Sequence, residues 1–363
     1  MPCFKAGHIL LQDRMSKTVT LMPSAKSFQV QEGETVLAAA LRHGIHLPYG
    51  CRTGSCGTCR AHLLEGTSTY PDGTPLALTA LEMHAGEALL CRAVPESDLK
   101  VEASEITAMA ALRVKAMPSR VAKLEKLAHD VMGLYLRLPA VERLQFLPGQ
   151  YIDILLPENH RRSFSLANPP HDDQFLELHV RNVPGGRFSQ EVFQHLHEGA
   201  LLRIQGPLGT FFLREDSERP MVLVAGGTGY APIQAILRHI FEQGRERETV
   251  FYWGARAGRD LYADAKLKAW GLEHPRFRYI PVLSEPLPED HWRGRTGFVH
   301  DAVMVDFTDL SGHDIYLSGP PPMVNAARTA FPLHRADPAH MYSDSFDFPA
   351  EVRAALEKEA RKR

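Results

Sequence analysis

The sequence predicts a multidomain chain of α+β and α/β architecture: a small α+β domain, an antiparallel β-barrel and a doubly wound parallel α/β domain. Three observations lead to this prediction. The chain has 363 residues, which at roughly 150 residues per domain gives two or three domains. Four of its five cysteines fall between Cys51 and Cys91. Beyond about residue 215, runs of strands give way to strands that alternate with helices.

The composition excludes several classes of protein. The 41 basic and 43 acidic side chains give a net charge of −2, which lacks the broad positive field of a nucleic-acid binder. No run of 18 apolar residues occurs, so we expect no membrane span. Residues 1–20 lack the apolar core of a signal peptide. We therefore expect a cytoplasmic chain, in which four clustered cysteines indicate a metal or redox site.

The first region, residues 17–105, is predicted to be the small α+β domain, and residues 1–16 are interpreted as an N-terminal extension. Thr35 has the side chain and the position of a helix N-cap, and Gly44 ends that helix. The other predicted elements are strands at Thr18–Met22, Ser27–Val30, Arg60–Glu65 and Leu99–Ala103 and a helix at Leu78–Ala85.

A cysteine-rich loop in this region predicts a metal centre. Cys51, Cys56 and Cys59 follow the spacing C-x4-C-x2-C, and Cys91 follows after 31 intervening residues, as in plant-type [2Fe–2S] ligation. Glycines within the loop allow tight turns and let backbone N–H groups approach the sulfurs. A four-cysteine zinc site is the alternative. Zinc sites usually pair two CxxC elements, so the spacing favours an iron–sulfur cluster.

The middle region, residues 106–215, is predicted to be the antiparallel barrel. Strand-like runs are separated here by proline and glycine turns, and one short helix, Arg187–Leu196, interrupts them. The predicted strands are Ser119–Leu124, Val131–Leu138, Tyr151–Leu155, Ser163–Ala167, Leu176–Arg181 and Leu201–Gln205.

One strand of the middle region carries Arg162, Ser163, Phe164 and Ser165. Alternation places Arg162 and Phe164 on one face, where a guanidinium for phosphate and a ring for stacking suit a flavin dinucleotide. Taken alone, this tetrapeptide is more typical of an exposed strand face than of a flavin site. The helix that opens after Gly186 offers backbone N–H groups to a pyrophosphate, and the two features together favour a flavin site.

The third region, residues 216–347, alternates strands and helices and is predicted to be the doubly wound sheet. Its predicted elements are strands at Met221–Ala225, Val250–Trp253, Phe277–Leu283 and Asp314–Leu317, the last one being the final strand, and helices at Ile233–Gln243 and Ala263–Gly271. The tail, residues 348–363, is predicted to be helical.

A glycine-rich turn, 226–229, joins the first strand of this sheet to its helix and would let a pyrophosphate approach the backbone. Pro232 stands where the G-x-G-x-x-G pattern has its last glycine, and no acidic residue ends the second strand, so the match is partial. Arg256, which follows the second strand, is a candidate for nucleotide contact. A solvated strand end is its alternative.

Together these motifs resemble the ferredoxin–NAD(P) reductase superfamily over residues 18–346. Leu47–Cys59 resembles the cluster loop of its ferredoxin-type reductases, and the Arg162 strand with the Gly186 turn resembles its FAD-binding domain. Tyr316–Met323 and Tyr342–Phe346 resemble the segments that face the nicotinamide and the flavin. The domain order is similar to that of single-chain reductases serving bacterial oxygenases, and whole segments are most similar to the CDP-6-deoxy-3,4-glucoseen reductase-like group.

The resemblance implies a β-grasp ferredoxin domain at 17–105, an antiparallel β-barrel FAD domain at 106–215 and a doubly wound parallel α/β NAD(P) domain at 216–347. It implies that Ser165 acts near flavin N5, that Phe346 approaches the flavin face, and that Ser318, a cysteine in many relatives, lies beside the hydride-transfer site. The implied cofactor-binding residues are Arg162, Ser163, Phe164, Ser165, His179, Val180, Gly186, Ser189, Gly227, Thr228, Pro232, Arg256, Ser318, Gly319, Pro320 and Phe346. The implied metal ligands are Cys51, Cys56, Cys59 and Cys91.

The function implied by the resemblance is electron transfer from NAD(P)H through FAD to a [2Fe–2S] cluster, and on to a protein acceptor. A Rieske-type or other oxygenase component is the expected acceptor. A CDP-6-deoxy-3,4-glucoseen reductase serving a deoxysugar dehydrase is the alternative. NADH is expected because similar reductases mostly use it, with NADPH as the second choice. A monomer without nucleic-acid or membrane partners is expected.

Overall fold

The computed structural model describes residues 16–158, 160–245, 247–346 and residue 352. The predicted N-terminal extension and helical tail therefore lie almost wholly outside the described residues. The chain divides into two compact units between Leu112 and Arg113. Within the described ranges, no helix combines the length and apolarity needed to cross a membrane.

The first unit is built on a five-stranded mixed sheet. Its elements are β1 (Lys17–Met22), β2 (Ser27–Val30), α1 (Val36–Arg42), β3 (Arg60–Glu65), β4 (Ser68–Thr69), α2 (Ala80–His84), β5 (Glu87–Leu89), β6 (Val94–Pro95) and β7 (Leu99–Glu102). The strand order is β2-β1-β7-β3-β5, with β1 and β7 parallel. Helix α1 packs Val36, Leu37 and Ala40 against the sheet. This is the predicted α+β fold.

The helix ends of this unit follow from side-chain capping. As predicted, Thr35 caps α1: its Oγ1 accepts a hydrogen bond of 3.2 Å from the N–H of Ala38. The second helix is shorter than predicted. Thr79 and Glu82 form a reciprocal capping box, so the helix begins after Thr79 and not at Leu78.

The first part of the second unit is an antiparallel barrel with a single helix. Its elements are β8 (Lys115–Lys126), β9 (Val131–Arg137), β10 (Tyr151–Leu155), β11 (Arg161–Ser165), β12 (Leu176–Arg181), α3 (Arg187–Gln194) and β13 (Leu201–Leu208). The order is β11-β10-β13-β8-β9-β12. A bridge between Leu166 and Leu178 joins the two ends of this sheet, and aliphatic side chains fill its interior.

The second part of this unit is a six-stranded parallel sheet with helices on both faces. Its elements are β14 (Met221–Gly226), α4 (Tyr230–Gln243), β15 (Thr249–Ala255), α5 (Asp264–Glu273), β16 (Phe277–Leu283), β17 (Arg295–Thr296), α6 (Val299–Asp306), β18 (Asp314–Gly319), α7 (Pro321–Ala330) and β19 (Met341–Ser345). The order is β17-β16-β15-β14-β18-β19. Alternate residues of β14 enter two cores, with α4 and α5 on one face and α6 and α7 on the other.

Two features of this sheet differ from the prediction. The strand beginning at Asp314 is not the last, because β19 pairs with it in parallel. The sequence of β19 is mostly polar and half-buried, so it lacks the apolar run typical of a buried strand. Helix α4 begins at Tyr230 and not at Ile233, since the glycine-rich turn leads into it without a break. The predicted fold class is confirmed for all three regions.

Candidate functional site

The four clustered cysteines are brought together in the first unit as free thiols. Cys51 and Cys56 form one contacting pair and Cys59 and Cys91 form another. A hydrogen bond from the Cys56 thiol lowers the pKa of Cys51 to about 4, and the same contact raises the pKa of Cys56 well above its ordinary value. Contact with Cys91 likewise raises the pKa of Cys59. Four such thiols ionise together only when a cation offsets their charge.

The pairwise arrangement of the thiols distinguishes between the two candidates, a zinc site and an iron–sulfur cluster. A tetrahedral zinc site with Zn–S bonds of about 2.3 Å would bring all four sulfurs within roughly 4 Å of one another. Among the described residues, no three of these sulfurs lie mutually within 4.8 Å. Two separate pairs suit two metal ions with two thiolates each, which is the donor set of a [2Fe–2S] cluster.

The cluster loop is held in shape by backbone groups and by the segment that covers it. The N–H groups of Cys51 and Thr53 point at sulfurs, at 3.5 Å from Cys56 Sγ and 3.4 Å from Cys51 Sγ. Gly54 has φ +83°, and a Cβ there would lie 2.7 Å from Pro75 Cβ. Only glycine allows this close approach. The loop is therefore built to present N–H groups to ligated sulfur.

As predicted, the residues from Arg162 to Ser165 lie on a strand, β11, which stands at one end of the barrel's strand order. Arg162 and Phe164 are both half-buried on one face, and Phe164 packs against Phe188 of α3 with ring centroids 5.6 Å apart. Ser163 faces the other way and donates a 2.7 Å hydrogen bond to Asp153 Oδ1. The predicted flavin face thus consists of Arg162 and Phe164, while the Ser163 hydroxyl is already engaged by the barrel.

Ser165 meets a residue that the sequence analysis did not single out. Its hydroxyl donates a 2.9 Å hydrogen bond to Asp344 Oδ2, and both side chains are buried. Asp344 lies on β19, paired in register with Ser318 of β18. The barrel strand, the C-terminal strand and the predicted nicotinamide segment therefore converge at one point. The signal available in the sequence was the acidic residue within the Tyr342–Phe346 segment.

The predicted pyrophosphate site at α3 has no side-chain cap. Gly186 is the N-cap residue, and a Cβ there would collide with Ser189 Oγ. Ser189 donates to Gly186 O and accepts from Val183 N–H. Its hydroxyl shapes the turn and leaves the first N–H groups of the helix to an anion.

His179 and Val180 lie on β12, and neither side chain is open to solvent. Val180 is part of the barrel core. The imidazole of His179 lies 3.0 Å from Glu177 Oε1 through Nε2 and 3.0 Å from Tyr262 OH through Nδ1. Both ring nitrogens are thus occupied by protein, which leaves only the backbone of these two residues for a cofactor.

The glycine-rich turn and the Ser318 segment meet where the strand order of the parallel sheet reverses. Strand β14 has β15 on one side and β18 on the other, and such switch points form nucleotide crevices. A Cβ on Gly229 would collide with Ser318 O, and a Cβ on Gly319 would lie 2.9 Å from Gly226 O. The two backbones therefore approach as closely as glycine permits.

The other predicted nucleotide residues surround this crevice. Gly227 and Thr228 are half-buried at the uncapped start of α4, and Pro232 is buried in its first turn. Pro320 and Arg256 are exposed, and Phe346 is half-buried with its N–H bonded to Gly319 O. Ser318 is fully buried, and its Oγ has no hydrogen-bond partner among the described residues. A ligand can therefore reach the Ser318 hydroxyl only when the surrounding segments of this protein move.

Arg181 is a second residue that the sequence analysis did not single out. It ends β12 and donates through Nε to Asp130 Oδ2 at 2.7 Å. Its Nη1 lies against the glycine-rich turn, 2.9 Å from where a Cβ on Gly227 would stand. Held in this way, the guanidinium points its remaining donors at the crevice where a pyrophosphate would lie.

Three family models match the chain in sequence order. They are a 2Fe-2S iron-sulfur cluster binding domain at residues 19–96, an oxidoreductase FAD-binding domain at 118–213 and an oxidoreductase NAD-binding domain at 223–329. The uncapped helix starts, the crevice and the paired thiols described above fit these three groups. The chain is an NAD(P)H-dependent oxidoreductase whose cofactors are a [2Fe–2S] cluster, FAD and NAD(H).

Similar proteins match this chain over most of its length. The CDP-6-deoxy-L-threo-D-glycero-4-hexulose-3-dehydrase reductase of Yersinia pestis is 38% identical over 332 residues, covering 92% of this chain and 99% of that protein. The terephthalate 1,2-dioxygenase reductase component 1 of a Comamonas species is 37% identical over 318 residues, covering 87% and 93%. The crystal structure of the Amycolatopsis cytochrome P450 reductase GcoB superposes with a TM-score of 0.76 at 35% identity, covering 91% and 98%. The chain belongs to the family of single-chain reductases that join a 2Fe–2S ferredoxin domain to FAD-binding and NAD-binding domains.

Proposed function

We propose that this reductase takes electrons from NADH and delivers them to the oxygenase component of a two-component monooxygenase or dioxygenase. The observation that carries the electron-transfer function is that one chain holds two pairs of thiols, a flavin face and a nucleotide crevice. The similarity to dioxygenase and P450 reductases supports an oxygenase as the acceptor.

A deoxysugar dehydrase is the second candidate acceptor. The observation in its favour is the 38% identity to the Yersinia pestis dehydrase reductase, which matches over nearly its whole length. The cofactors and the order of domains are the same for both candidates. The two proposals therefore differ only in the protein that accepts the electrons.

In the proposed site, Cys51, Cys56, Cys59 and Cys91 hold the cluster. Arg162 binds FAD phosphate, and Phe164 packs on the flavin or its ribose. Ser165 lies near flavin N5, and the backbones of His179, Val180 and Gly186 follow the dinucleotide. The residues of the nucleotide crevice are Gly227, Thr228, Pro232, Arg256, Ser318, Gly319 and Pro320, with Phe346 shielding the flavin. To these the geometry adds Asp344 and Arg181 as further proposed site residues.

The chemistry of the reaction resides in the cofactors, and the protein positions them. When bound, FAD would supply the conversion of an electron pair from NADH into single electrons for the cluster. Asp344 fixes the Ser165 hydroxyl. Arg181 and the uncapped N-terminus of α4 bind the pyrophosphate. Backbone N–H groups of the cluster loop stabilise charge on ligated sulfur.

We also propose the domain limits 17–105, 106–215 and 216–347, which correspond to the changes in strand and helix pattern along the sequence. The proposed protein is a cytoplasmic monomer without membrane partners. Gel filtration against standards tests the monomer, and cell fractionation tests the location.

The experiment that tests the electron path compares two acceptors. The purified protein should show flavin and broad cluster absorption and should use NADH to reduce both ferricyanide and cytochrome c. Cys56→Ser should abolish cytochrome c reduction and keep most ferricyanide reduction, because flavin is still reduced when the cluster is lost. Cys3→Ser, which changes the cysteine outside the cluster set, is the matched control. A colourless protein, or equal loss of both activities, would contradict the proposal.

The acceptor itself is tested with purified partners. A Rieske-type oxygenase and a CDP-hexulose dehydrase are each added to the reductase with NADH, and oxidation of NADH coupled to product formation is followed. The oxygenase proposal predicts coupling with the oxygenase alone. Coupling only with the dehydrase would support the second candidate.

A further inference from the structure

Gln234 is a polar side chain on an apolar helix face, and it joins the two halves of the second unit. It is 3% exposed on α4, between core residues such as Ile233 and Ile236. Its carboxamide nitrogen donates to Ala167 O and to Glu177 Oε1, both at 3.0 Å. One amide group therefore bonds the barrel at two points.

The two ends of this bridge both lie next to the proposed site. Ala167 lies two residues beyond Ser165, the last residue of β11. Gln234 lies one turn beyond Tyr230, where the glycine-rich turn becomes α4. A single side chain thus connects the end of β11, the proposed flavin strand, to the start of α4 at the proposed nucleotide crevice.

The Glu177 carboxylate at the centre of this bridge is enclosed by groups from three elements. Its side chain is 14% exposed, with His179 Nε2 3.0 Å from Oε1 and Arg238 Nη1 3.8 Å from Oε2. Lys266 of α5 donates to Gln234 Oε1 at 3.2 Å. Burial alone would raise the pKa of Glu177, but hydrogen bonds from His179 and Gln234 hold it below its ordinary value. The carboxylate is therefore ionised at neutral pH.

The network continues to the glycine-rich turn through aromatic residues. Tyr262 OH lies 3.0 Å from His179 Nδ1, and its ring packs edge-on against Trp253 with centroids 5.1 Å apart. Trp253 donates through Nε1 to Gly227 O at 2.9 Å. Through His179, Tyr262 and Trp253, Glu177 is thus connected to the backbone of the glycine-rich turn by a second route.

Burying a polar network of this kind costs free energy, because its polar groups lose their contacts with water. Apolar side chains of similar volume generally pack there with equal or greater stability, whereas polar groups require one geometry to satisfy their hydrogen bonds. The network therefore defines the separation and register of the two halves more sharply than apolar contacts would.

We propose that Gln234 is a positioning residue for the reaction between nicotinamide and flavin. By fixing Ala167 and Glu177 relative to α4, it sets how closely the nucleotide crevice approaches the flavin face. The inference rests on the proposed function. The inference goes beyond the proposed function by assigning this role to a residue outside the proposed set of cofactor contacts.

The test compares Gln234→Ala with Gln243→Ala, a change of an exposed glutamine on the same helix. Flavin reduction by NADH is followed anaerobically by stopped flow in the FAD-loaded protein. Gln234→Ala should slow flavin reduction at saturating NADH roughly 10-fold, as misplacement of reacting groups does, with the Kd for NADH changed less than about 2-fold. Gln243→Ala should match the parent protein. A lower Tm with an unchanged reduction rate would mean that Gln234 is merely structural and would overturn the proposal.

Two further measurements keep the test decisive. Gln234→Glu preserves size but removes the amide donor that faces Glu177, so it should slow flavin reduction as strongly, and a full rate in this variant would refute the proposal. Amide hydrogen exchange without nucleotide should rise at residues 165–168 and 227–230 in Gln234→Ala. That measurement needs no turnover, so it reports on the bridge even where NADH fails to reduce the flavin and the proposed function itself is wrong.

Discussion

At the scale of single side chains, the hydrogen bond from Ser165 to Asp344 is the contact closest to the proposed chemistry. Asp344 is acceptor-only when ionised, so its bond to Ser165 fixes the direction of the serine hydroxyl. A fixed hydroxyl keeps one lone pair turned away from the carboxylate. That lone pair is then available to a polar edge of the flavin.

Replacing Ser165 by alanine removes this hydroxyl and leaves the Asp344 carboxylate without its 2.9 Å donor. We expect flavin reduction by NADH to slow by roughly 10- to 100-fold, the range for a positioned polar group that takes part in proton or hydride movement. Stopped-flow absorbance at the flavin band measures it. Ser119→Ala is the control, because Ser119 is a buried serine of the same barrel that donates to Leu202 O. Equal rates in the two variants would exclude a role for Ser165.

The sequence was sufficient for residues whose spacing carries the chemistry and insufficient for residues that act through a partner. The four cysteines could be identified because ligand spacing is local. Asp344 and Arg181 acquire their roles only from contacts made 179 and 51 positions away along the chain. His179 was expected at the flavin, yet its ring nitrogens contact Glu177, two residues away on the same strand, and Tyr262, 83 residues away, which no local pattern identifies.

At the scale of elements, strand β18 is anchored at its first residue. Asp314 is 0% exposed, and its Oδ2 accepts from Arg247 Nη2 at 2.6 Å while Oδ1 lies 2.9 Å from His340 Nδ1. Burial would raise the pKa of Asp314, but hydrogen bonds from Ser217, Arg247 and His340 lower it below the ordinary value. One carboxylate thus fixes the start of a central strand to the loops on both sides.

This anchor predicts how acid destabilises the sheet. Because the folded-state pKa of Asp314 is depressed, its stabilisation is complete above the unfolded-state value of about 4 and is lost as the pH falls through the folded-state value. Asp314→Asn should lower the free energy of unfolding by about 3 kcal/mol at pH 7, since it leaves the Arg247 charge buried without its partner. The difference from the parent protein should shrink below pH 4.

Urea unfolding followed by tryptophan fluorescence measures this effect, because the three tryptophans, Trp253, Trp270 and Trp292, all lie in this part of the chain. Asp309→Asn is the control, since Asp309 pairs with Arg335 at the surface and surface pairs contribute little. A difference that stays constant from pH 7 to pH 3 would show that the charge of Asp314 does not act as described.

Elements with a continuous apolar run were predictable, and elements that end a sheet were not. The strand from Met221 is apolar throughout because both of its faces are covered by helices. Strand β19 is an edge strand with a polar sequence, and its pairing with β18 follows from the fold as a whole. Helix α7 opens with Pro321 and Pro322, which are favourable in a first turn but resemble a loop in sequence.

At the scale of the whole molecule, the division between Leu112 and Arg113 separates the cluster from the two dinucleotide sites. Each unit has its own apolar cores. The chain from residue 113 onward should therefore fold alone, bind FAD and reduce ferricyanide with NADH at a rate close to that of the full chain. It should lack cluster absorption and cytochrome c reduction.

Absorption spectra and the two acceptor assays on the purified fragment check this prediction. The full chain with Cys56→Ser is the matched control, because it loses the cluster and keeps every domain. A fragment that cannot bind FAD would show that the second unit depends on the first. Cytochrome c reduction by the fragment would show that electrons leave the flavin without passing through the cluster.

The order of strands in the parallel sheet has a consequence for synthesis of the chain. Strand β14 is made first but lies in the middle, whereas its neighbour β18 begins 93 residues later and the edge strand β19 begins 120 residues later. A nascent chain on the ribosome therefore exposes one apolar edge of this sheet until residue 345 has emerged. Exposed strand edges invite pairing between chains. A premature stop between Pro321 and Met341 should accordingly yield an insoluble product, even though every proposed cluster ligand and every proposed dinucleotide contact except Asp344 and Phe346 has already been translated.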